Sequence, residues 1–89
     1  LMTAGPKLKW EPMKEFLGEY ECIVGNIEFS VSENGNWDVS VKYSKRVSSY
    51  ALTTIDGGQC RTLSTAKRKC QQWLDRQWKA MCKLQEEQQ

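Results

Sequence analysis

The hydrophobic period changes once along this chain, from two residues to between three and four, and the change falls near residue 60. Before it, Tyr20, Cys22 and Val24 alternate with Glu19, Glu21 and Ile23, and Ile27, Phe29 and Val31 alternate with Glu28, Ser30 and Ser32. Trp37, Val39, Val41 and Tyr43 then alternate with Asp38, Ser40 and Lys42. Such alternation puts one apolar and one polar face on each strand. After it, Ala66, Cys70, Trp73, Leu74, Gln77, Met81 and Leu84 recur at three- and four-residue steps, which marks one stripe of a helix. A run of short strands followed by a single helix predicts an α+β fold, a four-stranded antiparallel β-meander packed against one long C-terminal α-helix.

Turn chemistry divides the segments. Gly25-Asn26 reads as a two-residue hairpin turn, and Asn34-Gly35 within Glu33 to Asn36 as a second, with both central residues at positive φ in a type I′ geometry. Ser44-Lys45-Arg46 is a third turn, and Val47 to Ile55, rich in β-branched and aromatic residues, is a fourth strand that Asp56-Gly57-Gly58 brings to an end. Residues 1–18, punctuated by Pro6, Pro12 and Gly18, form an extended lead-in with at most one helical turn over Met13 to Leu17, and Trp10 folds back onto the core. Leu1 to Gly5 are left out of the fold reading. The strands occupy residues 19–55 and the helix 64–87, capped by Thr62 or Ser64. At 1.5 Å per residue that helix is roughly 36 Å long, against about 20 to 27 Å for strands of six to eight residues, so its last turns overhang the sheet.

The 89 residues suffice for one domain. Four tryptophans, Trp10, Trp37, Trp73 and Trp78, supply much of the apolar area available to so small a core. No uncharged apolar run reaches the ~18 residues of a membrane span, so no membrane partner and a cytoplasmic location are expected. Cys22, Cys60, Cys70 and Cys82 are read as reduced core thiols. With no histidine and no C-x-x-C pair, neither a metal site nor any other cofactor is expected. The chain also lacks a glycine-rich phosphate loop and a nucleophile elbow, so it is read as a non-enzyme with no catalytic residues.

Charge is unevenly placed. Residues 1–60 hold six basic residues against eight acidic ones, whereas residues 61–84 hold seven basic residues against Asp75 alone. Lys67, Arg68 and Lys69 fall in the first turns of the helix, where the macrodipole disfavours cations. Together with Arg61 they are candidate partner-binding residues, suited to phosphates or to an acidic protein surface. Trp78 lies to one side of the main stripe and is a candidate apolar anchor of an interface, the alternative being a wide core closed by Trp10 and the lead-in. Glu19 and Glu21 read as a solvated sheet face.

The stretch from Asn34-Gly35-Asn36-Trp37 to Thr62-Leu63-Ser64-Thr65-Ala66-Lys67, a G-x-W strand, a further strand and a T-x-S-x-A-K helix start, resembles small phage and prophage proteins built as a meander plus one C-terminal helix. That resemblance implies an interaction protein that binds and modulates or inhibits a host protein, including components of host defence systems, as a monomer or homodimer. The element order is also similar to the AP2-like arm-binding domains of phage integrases. Here, though, Glu19, Glu21, Glu28 and Asp38 occupy the sheet where a DNA-facing surface carries cations. The basic helix start is similar to that of double-stranded-RNA-binding domains, whose first helix Met13 to Leu17 is too short to supply. These two likenesses imply the alternative function, a nucleic-acid-binding module using the start of the C-terminal helix.

Overall fold

In the computed structural model, which describes residues 5–42 and 52–87, an antiparallel sheet packs on one face against a single helix. The strands are β1 (Glu11–Pro12), β2 (Glu19–Val24), β3 (Ile27–Ser32), β4 (Asn36–Lys42) and β5 (Leu52–Gln59), and the helix α1 is Leu63–Glu87. Their order across the sheet is their order in the chain. The α+β class and the meander are as expected, with five strands in place of four. The added strand is β1, two residues that pair Glu11 with Glu21 and Pro12 with Tyr20.

Register carries the alternation across the sheet. Cys22, Phe29 and Val39 stand in one row, and Tyr20, Val31 and Trp37 in the next. These rows face α1, and Phe29, Val31, Val39 and Cys22 are buried beneath Ala66, Cys70, Trp73 and Leu74. Phe29 meets Trp73 edge to face, with ring centroids 5.7 Å apart, a geometry worth about 0.5 to 1.5 kcal/mol beyond the area it buries. Thr62 caps the helix as expected, its Oγ1 accepting the Thr65 N–H at 3.2 Å.

Three local expectations are corrected. The Asn34-Gly35 turn is not type I′. Asn34 keeps a negative φ, Gly35 alone is left-handed at +92°, and the Gly35 N–H donates to the Ser32 carbonyl at 2.9 Å, which is the three-residue loop with a type I turn. Glycine is required there because a Cβ would overlap the Cys60 backbone carbonyl, and the Gly35 carbonyl accepts the Cys60 N–H at 2.8 Å. Asp56-Gly57-Gly58 does not end the fourth long strand; it lies inside β5, opposite Val39, Asp38 and Trp37. A Cβ on Gly58 would sit 2.9 Å from Trp37 Nε1, so the glycine makes room for the indole rather than for a turn. The strand expected from Val47 is described from Leu52 on; residues 47–51 and the Ser44-Lys45-Arg46 turn lie outside the described residues. Finally, Gly5 belongs to the fold. It is buried, its N–H donates to Asp75 Oδ1 at 2.9 Å, and a Cβ there would meet Leu74 at 3.1 Å.

The lead-in is thereby tied along one flank of α1. Gln71 Oε1 accepts the Leu8 N–H at 2.9 Å and its Nε2 donates to the Pro6 carbonyl at 2.9 Å, while Leu8 and Trp10 pack against the core. Beyond Leu74 the helix leaves the sheet. Gln77 and Met81, which continue the core-facing stripe, are exposed, Met81 to 54%. The thirteen residues after Leu74, as far as Glu87, rise about 20 Å past the core. Among the described residues no helix is long and apolar enough to cross a membrane.

Candidate functional site

Two charged surfaces lie on opposite sides of the molecule, and the fold decides which side chains each one holds. On α1 the core face is Ala66, Cys70, Trp73 and Leu74. At 100° per residue, Arg68, Gln72, Arg76, Lys79 and Lys83 line up on the reverse side, with Lys69 beside them. All six are exposed. The row from Arg68 to Lys83 is about 22 Å long at 1.5 Å per residue. Asp75, the one acidic residue between Arg61 and Leu84, points away from it into the lead-in, where it accepts the Gly5 N–H and the Gln71 amide at 3.1 Å. None of the five cations of this ridge makes an ion pair or hydrogen bond with a described residue.

The residues singled out in the sequence are dispersed by this geometry. Arg61 is exposed just before the helix, and Arg68 and Lys69 belong to the ridge. Lys67 does not: consecutive helical residues diverge by 100°, which turns it toward the sheet, where its Nζ lies 4.9 Å above the Tyr20 ring in a half-buried cation–π contact. Trp78 is half-buried on the flank that the lead-in covers, its Cβ 3.4 Å from where a Cβ on Gly5 would lie. Arg76, Lys79 and Lys83 were missed. Their signal was present in the spacing 68, 72, 76, 79, 83, which repeats at helical steps on the side opposite the tryptophans.

The second surface is the sheet face away from α1. Register puts Glu11, Glu21, Ser30 and Asp38 in one row across it, with Ile23, Glu28, Ser40 and Thr54 in the next and Glu19 and Ser32 at its end. Hydroxyls hold the Asp38 carboxylate, Ser40 Oγ at 2.7 Å and Thr54 Oγ1 at 3.4 Å. A shallow groove runs between Met13, Glu19, Ser30, Ser32, Asn36 and Asp38. Its neighbour is lined by Glu15, Phe16, Leu17 and Glu33 in the turn between β1 and β2 and in the β3–β4 turn. Leu17 is fully exposed and Phe16 more than half so, and Ile23 is 63% exposed on the face itself. The bulge at Val39/Ser40 leaves Ile55 unpaired and exposed at the margin.

The thiols sit apart from both surfaces. Cys22 and Cys70 are buried, Cys60 and Cys82 half-buried, and none is in a disulfide. Burial, with lesser contributions from Asp38, Cys60 and Cys22, pushes the Cys70 thiol up to about 12, which keeps it protonated and inert at neutral pH. Among the described residues no group of three or more His, Cys, Asp or Glu is placed to hold a metal ion. Comparison with protein-family models, curated proteins and solved structures finds no match, so both surfaces are read from their own residues.

Proposed function

We propose that this chain is a non-enzymatic interaction protein whose acidic outer sheet face, with apolar side chains at its rim, binds a basic, partly apolar surface of a protein partner. The observation that carries this reading is the pairing of two features in one place. Carboxylates of Glu19, Glu21 and Asp38 stand on a face that no described element covers, and Phe16 and Leu17 project at its rim. Apolar side chains held out in solvent are expensive for a domain with so little core, and an aromatic beside an aliphatic within a polar surround is the usual make-up of an interface anchor. The acidic surround selects a partner with exposed Lys or Arg and disfavours nucleic acid on this side. Under this reading Phe16 and Leu17 take the anchoring role first assigned to Trp78. The resemblance to small phage proteins supports a host protein as the partner, bound in a way that modulates or inhibits it.

The test is capture of a stoichiometric partner from bacterial lysate after nuclease treatment, repeated with a Phe16→Ala/Leu17→Ala double variant and with Glu21→Lys. The double variant should lose at least about 2 kcal/mol of binding, a thirtyfold or larger fall in affinity, with its thermal melt unchanged. Glu21→Lys should slow association and weaken its dependence on salt. Retention of the same partner at full affinity by the double variant would sink this assignment.

A further inference from the structure

We infer that the outer ridge of α1 is a second binding surface, independent of the sheet face, and that it takes the sugar–phosphate backbone of duplex DNA without regard to sequence. The ridge is made of Arg68, Lys69, Arg76, Lys79 and Lys83 with Gln72 among them, all exposed and none ion-paired to a described residue. Among the described residues the exposed apolar side chain at its margin is the small Ala80, so it lacks the large apolar anchor that a protein partner needs. For the same reason it lacks the stacking platform on which single strands bind. A row of cations about 22 Å long, at axial steps of roughly 1.5 to 10.5 Å, matches a polyanion that presents charge continuously along its length.

The overhang adds shape to charge. Up to Leu74 the sheet and the lead-in flank α1, but at Gln77 and Met81 even the core-facing stripe is open, so this part of the helix is free over most of its circumference. A helix with its side chains is about 10 to 12 Å across, which fits the roughly 12 Å major groove of B-DNA. The major groove of duplex RNA is too deep and narrow to admit it. Arg76, Lys79 and Lys83 lie on this free part, on one side of the helix, where they reach phosphates along one wall of the groove.

The first turn of the helix carries no acid, so nothing in it neutralises Arg68 and Lys69 in the turn that follows.

Fluorescence anisotropy with a labelled 20-base-pair duplex of arbitrary sequence tests the inference directly on the full chain. Affinity should fall between 50 and 200 mM salt with a log–log slope of about −3 to −4.5, since each phosphate neutralised contributes about −0.9. The Arg76→Ala/Lys79→Ala/Lys83→Ala variant should bind at least tenfold more weakly at the low-salt end and flatten the slope by about 2.7. A Lys7→Ala/Lys14→Ala control, also two exposed cations, should do neither, and circular dichroism should report the same helix content in all three. No binding at 50 mM salt would overturn the inference. So would an unchanged slope in the triple variant, equal affinity for the single strand or for duplex RNA, or displacement of the duplex by polyglutamate at matched charge, which would mark the ridge as a site for acidic protein.

Discussion

The two halves of α1 are built from similar residues and meet different physics. From Leu63 to Leu74 the helix puts Ala66, Cys70, Trp73 and Leu74 under the sheet, and its stability comes from burying that stripe. From Asp75 onward the stripe continues as Gln77 and Met81, both exposed, and the helix rests on its own propensity, on Asp75 and on the half-buried Trp78. Gln77, Lys79, Ala80, Met81 and Lys83 are all good helix formers, which a segment without tertiary support needs. One half is fixed by packing, and the other is left available by its absence.

That contrast is most sharply broken at the pair Trp73 and Met81. Trp73→Ala removes the partner of Phe29 and should lower unfolding stability by about 3 to 5 kcal/mol, whereas Met81→Ala should change it by less than about 0.5 kcal/mol, both read from urea melts. Next in size is the response to alkaline pH. Cys70 gives up its proton near pH 9 in the unfolded chain but holds it to about pH 12 when folded, so above pH 9 the unfolded state binds fewer protons and stability falls. The expected Cys70 contribution to the slope is at most about 1.4 kcal/mol per pH unit between pH 9 and 12, and Cys70→Ala should be less sensitive to pH by that amount. In native-state alkylation at pH 8, half-exposed Cys82 should react well before Cys70. A more local effect concerns the border between the halves. Asp75→Ala removes the acceptor for the Gly5 N–H and should cost about 1 to 2 kcal/mol, with faster hydrogen exchange at Gly5 and Leu8 and no change at Phe29.

How much of this was legible in sequence follows from how strongly each residue type reports its surroundings. The alternation of Tyr20 to Val24, Ile27 to Val31 and Trp37 to Val41 identified three strands and their inner faces, because a period of two survives any local detail of the backbone. β1 was invisible: two residues, one of them proline, carry no period, and their pairing depends on Glu21 being already in place. Gly57-Gly58 misled for the opposite reason. Glycine in a strand looks like a break unless the bulky neighbour, here Trp37, is known to lie over it. The excess of cations after residue 60 was plain, but grouping Lys67 with Arg68 and Lys69 took neighbours in sequence for neighbours in space. The open sheet face was read as ordinary solvated surface from Glu19 and Glu21, and nothing in the sequence distinguished Phe16 and Leu17 from buried apolar residues of the lead-in.

A sheet whose spatial order is its chain order has a consequence for how the molecule assembles. Each long strand pairs with the one before it, so each pairing joins segments near in the chain, and α1 then docks across β3 and β4. Topologies of this kind fold quickly, since little chain entropy is spent before each contact forms. The exception is the link from Gly5 to Asp75, which joins residues 70 apart and adds the lead-in to a helix flank that is already built. That segment is expected to be the last to arrive and the first to leave, opening the flank of Trp78 while the rest of the domain stays folded.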